Sequence, residues 1–327
     1  MRTLLDHLNT KLPIWNAGMG GGLAGPALVA AVCEAGGLGV LGAGGAPAAR
    51  ICDWAAQIRV LTSRPFGANI ILPMSDGSDV EACFDARVPV LVLFWGDAQP
   101  YVKDAHKRGM FVLAQCGGAA DAVAAADAGV DAVIVQGVEA GGHVKALEPL
   151  QTTVAAAVKV LGPVPVIAAG GIATGADIAD ALALGAQAVS LGTRFVASLE
   201  ADAFGEYKQR IVKAAASDTV LTTLFDIGWP DANHRVIRNT TYERWEAAGK
   251  PASGARPGEK QDVGELVSGE RRVLLQRYSI VPPLGSFDGD LDAMALYAGE
   301  SVERITDIVP GAEIMARLHE ELRRAVN

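Results

Sequence analysis

Eight times between Pro13 and Gly192 a short apolar or β-branched run ends in a glycine or polar break, with alanine-rich stretches of helical period lying between the runs. The runs are PIWNA (13–17), LGVLG (38–42), FGANI (66–70), PVLVLF (89–94), FVLAQ (111–115), DAVIVQ (131–136), VPVIAA (164–169) and QAVSLG (187–192). Several lack polar alternation, as expected of parallel strands covered on both faces by helices. In GPALVAAVCEAGG, residues Leu28, Val32 and Ala35 share one helical face and paired glycines stop the helix. Repeated β-α units predict an α/β fold, a (β/α)8 TIM barrel. A doubly wound sheet would show fewer strands and a GxGxxG after the first. GMGGGLAG matches that fingerprint only loosely, and no acidic residue clearly ends the second run. The chain has 327 residues, room for a barrel of roughly 250 residues plus insertions.

After Arg194 the rhythm changes. Residues 1–217 are read as the barrel. Residues 218–287, which include DIGWPDANHRVIRN and KPASGARPGEK, are rich in Pro, Gly and charge without a clean period, and are read as an irregular insertion. Residues 288–327 are read as a C-terminal helical segment packing on the barrel, with MALYAG and the amphipathic EIMARLHEELRRAV as its helices.

Half the residues are hydrophobic and 20% are charged, the composition of a globular chain. A net charge of −9 with scattered Lys and Arg argues against a nucleic-acid partner. Cys33, Cys52, Cys83 and Cys116 lie far apart with no CxxC pair, so they read as thiols of a reducing compartment, and no metal site is expected. The N-terminus has no secretory pattern and no apolar run spans a bilayer, so the protein is expected in the cytoplasm, without a membrane partner.

Barrel enzymes carry their chemistry at the C-terminal ends of the strands. There AAGGIATGADI and SLGTRF place Gly170, Gly171, Gly192 and Thr193 where backbone N–H groups at helix starts favour a phosphate; the same glycines could also serve only tight turns. Asn69, Gln115 and Gln136 are uncharged amides on neighbouring rims. Together they suit the mixed donor and acceptor edge of a heterocycle such as isoalloxazine, though each singly could be a structural amide. In QGVEAGGH, Gly141 and Gly142 would let backbone approach a planar ligand while the His143 imidazole projects into the mouth as proton acceptor or donor. His7 and His319 lie near the termini, His106 in a surface-like helix and His234 in the insertion, so none competes with His143. Lys145 reads as a solvated charge.

QGVEAGGH, with FGANI before it and AAGGI and LGTRF after it, resembles the nitronate monooxygenase family, formerly called 2-nitropropane dioxygenases, which are FMN-dependent TIM barrels. The resemblance runs from PIWNAGMGG to MALYAGESV. It implies that Asn69, Gln136, Gly141, Gly171, Ser190, Leu191, Gly192 and Thr193 hold FMN, that Met19 and Gly20 flank the ring, and that Gln115 is a further contact. His143 would be the catalytic histidine. The implied reaction is oxidation of alkyl nitronates with O2, giving a carbonyl compound plus nitrite. The same motifs resemble FMN-dependent NAD(P)H reductases of the enoyl-acyl carrier protein or quinone type. A non-catalytic flavin-binding barrel and a sugar-phosphate or nucleotide enzyme are further alternatives. The expected partners are a small molecule and O2, with self-association into a homo-oligomer left open. Two departures from the family pattern bear on the substrate pocket: Asn16 in WNAGMGG, where relatives commonly read QAPMGG or QAGMGG, and Glu300 in AGESV, where many read AGQGV.

Overall fold

The computed structural model describes residues 3–269 and 271–326. One sheet contains the eight parallel strands β1 (Ile14–Asn16), β2 (Gly39–Gly42), β3 (Phe66–Ile71), β4 (Val90–Phe94), β5 (Phe111–Cys116), β6 (Ala132–Gln136), β8 (Val166–Ala169) and β9 (Ala188–Leu191). The two-residue β7 (Gly142–His143) belongs to a different sheet. Helix α1 (Leu4–Leu8) precedes β1. Helices α2 (Pro26–Glu34), α3 (Ala48–Leu61), α4 (Ser78–Asp85), α5 (Gln99–Lys107), α6 (Ala119–Asp127), α7 (Leu150–Leu161) and α8 (Gly175–Ala183) alternate with the strands, and α9 (Thr193–Val196) and α10 (Gly205–Lys213) follow β9. This is a TIM barrel, and each of the eight runs picked out in the sequence carries one of its strands.

The strand order β1-β9-β8-β6-β5-β4-β3-β2 leaves β1 and β2 as the two edges. One backbone bridge, Trp15 to Leu38, crosses that seam. The buried Asn16 supplies the rest: its Nδ2 donates to the Val40 carbonyl at 2.8 Å and its Oδ1 accepts the Val40 N–H at 3.1 Å. A side-chain amide thus stands in for a missing rung of ladder.

Inside the barrel Trp15, Val40, Val90, Val92, Leu113, Ile134 and Ile167 form an apolar core, closed from below by Leu4 and Leu8 of α1. Larger apolar clusters fill the layer between strands and helices. Three of the four cysteines are buried there, and burial raises the thiols of Cys33, Cys83 and Cys116 to about 12, which leaves them unreactive.

The stretch after residue 218 is more regular than its composition suggests. β10 (Thr219–Thr222) and β11 (His234–Ile237) pair antiparallel, and β11 takes β7 on its other edge. α11 (Thr240–Ala247) follows, then β12 (Asp262–Ser268) and β13 (Arg271–Gln276), with β14 (Phe287–Gly289) against β12. Tertiary pairing supplies the order that local periodicity did not signal. MALYAG, read above as helical, is extended: Ile237 donates to the Leu296 carbonyl at 2.8 Å, and Val236 bridges Tyr297. The terminal helix α12 (Gly311–Ala325) buries Ile314, Met315, Leu318 and Leu322 against Leu28 and Val32 of α2 and Ile178 and Ala181 of α8. It therefore occupies the last place in the helical ring.

Asn16→Ala should leave the Val40 N–H and C=O buried without partners and lower stability by roughly 2–6 kcal/mol, at about 1–3 kcal/mol for each unsatisfied group. Urea denaturation reads this directly; a loss under about 1 kcal/mol would mean the seam closes without the amide.

Candidate active site

Alternation along the strands decides which rim residues face inward. On β4, Val90 and Val92 lie in the barrel interior while Leu91 and Leu93 pack outward. The same parity runs from Leu113 to Gln115 on β5, from Ala132 and Ile134 to Gln136 on β6, and from Ala188 to Ser190 on β9. On β3 the outward set is Phe66, Ala68 and Ile70, which turns Asn69 inward. All four polar residues line one cavity of about 270 Å3 at the C-terminal mouth. Met19 and Gly20 after β1, Gly141, Gly142 and His143 after β6, Gly170 and Gly171 after β8, and Leu191, Gly192 and Thr193 at the end of β9 line it as well. Leu191 differs from the others, because its side chain packs outward in the cluster that holds Val189. What it offers the cavity is backbone.

The rim amides are not equivalent. Gln136 donates from Nε2 to the His143 carbonyl at 3.0 Å and accepts the Lys145 N–H on Oε1 at 3.0 Å, so both ends of its amide brace the glycine turn. Asn69 donates to the Val92 carbonyl at a long 3.4 Å. Glu139 accepts the Leu150 N–H at 3.0 Å, and Arg235 from β11 donates to the Val138 carbonyl at 2.9 Å while pairing with Glu300 at 3.0 Å. Gly141 is required by a backbone crossing: a Cβ there would lie 2.4 Å from the Gly299 nitrogen. Gly142 and Gly192 have no such neighbour, since an added Cβ would meet nothing within 4 Å at the first and only Ala17 Cβ at 3.9 Å at the second. Gly170 and Gly171 adopt φ of 101° and 71°, a conformation glycine reaches without strain.

The two departures noted in the sequence do not alter the cavity wall. Asn16 closes the seam, Glu300 pairs with Arg235, and neither lines the cavity. Lys145 pairs with Asp121 at 2.9 Å and is not a lining residue. Among the described residues that line the cavity, none is Asp, Glu, Lys or Arg.

His143 lies in β7, paired with His234 of β11. Its Nε2 is buried with no hydrogen-bond partner, while the ring stacks on Trp229 at 4.3 Å and an 18° interplanar angle. Burial, and secondarily the neighbouring His234, depress its pKa from 6.5 to about 3, so the imidazole is neutral. His234 is fully buried and satisfied: Nδ1 meets the Ala232 carbonyl at 2.9 Å, and Nε2 accepts the Phe225 N–H at 3.2 Å. Desolvation lowers its pKa to about 4. Trp229, Tyr297, Ile280 and Pro282 complete the wall facing the barrel mouth. Sequence reasoning missed these four. GWP in the insertion, an aromatic beside a glycine, was the one local signal, and nothing local tied it to QGVEAGGH. Among the described residues no group of three or more His, Cys, Asp or Glu is placed to hold a metal ion, and no helix is long and apolar enough to cross a membrane.

The nitronate monooxygenase family model matches residues 2–321. The sequence is 30% identical to a nitronate monooxygenase of Paraburkholderia phytofirmans over 99% of this chain and 96% of that one. It is 35% identical to a hydroxy-methyl-oxo-octahydroindene-carboxyl-CoA dehydrogenase of Mycobacterium tuberculosis over 76% of this chain and 70% of that one. Among solved structures it is similar to FabK from Thermotoga maritima, with a TM-score of 0.82 and 32% identity over 100% of this chain and 97% of that one. It is also similar to nitroalkane oxidase from Streptomyces ansochromogenes, with a TM-score of 0.78 and 29% identity over 99% and 98%.

His143 and His234 are both held neutral by the fold, whereas in the unfolded chain they take up protons near 6.5. The unfolded state therefore binds more protons at acid pH. The protein should keep full stability above pH 6.5 and lose it as the pH falls towards 4. Thermal melts across that range should show a shallower decline for His143→Gln. Equal slopes in the two proteins would mean that His143 is not buried as the neutral form.

Proposed function

The chain belongs to the nitronate monooxygenase family and is a flavin-dependent oxidoreductase, and from that premise we propose that it binds FMN in the barrel mouth and oxidises alkyl nitronates with O2 to a carbonyl compound and nitrite. The observation that carries this reading is a neutral histidine, His143, in the wall of a cavity otherwise lined by glycine turns, amides and apolar side chains.

The lining fits the cofactor. Gly170, Gly171, Gly192, Ser190 and Thr193, with the backbone of Leu191, offer small residues, hydroxyls and N–H groups for the phosphate and ribityl chain. Asn69, Gln115 and Gln136 offer amide edges for the ring, Met19 and Gly20 flank it, and Gly141 and Gly142 let backbone come close. FMN, when bound, accepts the electrons of the oxidation.

The chain's own part is binding, orientation and one proton. With no charged side chain among the described lining residues, an anion gains no ion pair in this cavity, and a neutral carbon acid enters at lower cost. Neutral His143, in the cavity wall, can take the acidic C–H proton on its imidazole and so generate the nitronate in place. The aromatic and aliphatic wall of Trp229, Tyr297, Ile280 and Pro282 keeps water away from the anion that forms.

A second reading, an FMN-dependent NAD(P)H reductase or dehydrogenase, draws support from the similarity to the carboxyl-CoA dehydrogenase. Anaerobic absorbance titration with a propyl nitronate, NADH and NADPH separates the two. Bleaching of the flavin band by the nitronate, supplied or formed in place from the nitroalkane, and not by a nicotinamide is expected; bleaching by a nicotinamide moves the protein to the reductase reading. His143→Ala should retain FMN and lose roughly two to four orders of magnitude in turnover, and unchanged turnover removes the proton role.

Gly192→Asp tests the phosphate placement, because its φ of −94° and open surroundings accept a side chain without strain. The variant should fold normally and lose FMN on gel filtration, through the carboxylate it sets against the phosphate. Full occupancy would place the phosphate elsewhere.

A further inference from the structure

His143 is the pivot of the proposed reaction, yet its imidazole has no hydrogen bond at Nε2 to fix the ring plane. Its main-chain neighbour Gly142 has φ 72° and nothing within 4 Å on its Cβ side, so the backbone alone does not hold the ring either. Contacts on the ring faces do. Trp229 lies nearly parallel at 4.3 Å, and Tyr297 and His234 close in at 5.6 and 5.3 Å with tilts of 44° and 57°.

The indole is itself held from several directions. Trp95 meets it edge-on at 5.1 Å, and Phe94 meets Trp95 at 5.3 Å. Trp95 is the first residue after β4 and has φ 63°, a left-handed conformation that costs a bulky residue about 1–3 kcal/mol and clusters at functional sites. On the other side the turn from Leu224 to Trp229 is tied down by Arg256, which donates to the Leu224 carbonyl at 3.1 Å and pairs with Asp226 at 2.7 Å. The Arg256 guanidinium in turn lies over the Tyr278 ring at 4.2 Å. Barrel rim and insertion therefore converge on one indole whose outer face covers one imidazole.

We propose that Trp229 is a positioning residue for His143, buttressed by Trp95: its stacked indole fixes the plane of the imidazole in the cavity wall. This rests on the reading of His143 as the base. In that step the C–H proton passes to the imidazole and its electron pair remains on the substrate, so a neutral pair becomes a carbanionic nitronate beside an imidazolium. The titratable groups facing the ring are His234 from β11 and Tyr297 from the extended segment. His234 is neutral, and burial raises the Tyr297 hydroxyl well above its ordinary range, so neither supplies a charge that would stand in for the indole.

The test compares Trp229→Leu, Trp229→Phe and Trp95→Leu with the parent protein, after circular dichroism and FMN occupancy have shown each variant folded. In flavin-free protein with labelled histidine, NMR titration of His143 should move upward towards 6.5 in Trp229→Leu, less in Trp95→Leu, and little in Trp229→Phe, which keeps an aromatic face. In the FMN-loaded enzyme Trp229→Leu should lower kcat by about tenfold or more with KM changed less than threefold, and Trp229→Phe should restore most of it. An unmoved His143 titration in Trp229→Leu overturns the proposal, as does a loss confined to KM, which would make Trp229 a substrate wall only. The NMR arm needs no turnover, so it stands apart from the reaction assignment. If His143→Ala is as active as the parent while the titration still moves, the base assignment fails and the positioning of the ring by Trp229 survives.

Discussion

A sheet of eight strands becomes a barrel only when its two edges meet, and here the edges meet through one backbone bridge and one side chain. The Asn16 amide donates to and accepts from Val40 across a seam that the backbone crosses at a single bridge. Closure sets the curvature of the sheet, and curvature brings the ends of β3, β5, β6 and β9 around one cavity. Without it Asn69, Gln115, Gln136 and Ser190 would still alternate correctly along their strands but would not converge.

Above that ring the mouth is finished by chain distant in sequence. The turn after β6 is gripped by β11 through the β7 pairing, by Arg235 on the Val138 carbonyl, and by the close crossing of Gly141 with Gly299. Each grip fills a need that the turn has by itself. A short strand needs an edge to pair with, a buried carbonyl needs a donor, and two backbones can cross this closely only where both residues lack a Cβ. The stretch after residue 218 thus delivers Trp229 and His234 to His143.

The electrostatics follow from this enclosure. A cavity without charged side chains among its described lining residues, covered by aromatic rings, favours the neutral form of any imidazole it contains. Of the two adjacent neutral histidines, His234 has both ring nitrogens satisfied and His143 leaves Nε2 without a partner.

The strands were legible in the sequence, because parallel strands covered by helices read as apolar runs, whereas the absence of polar alternation hid which face of each points inward. So were the glycines at the strand ends and the histidine among them, since turn conformation and close backbone approach leave local marks. The sequence could not show that Asn16 serves the seam, that Gln136 braces a turn, that Leu191 points outward, or that MALYAG runs extended beside β11. Each of these depends on what the residue meets across the fold. Local periodicity and turn chemistry are properties of neighbours in the chain and determined the barrel and its rim; the imidazole's partners, its protonation and its orientation come from residues some ninety positions away and were decided only by tertiary packing.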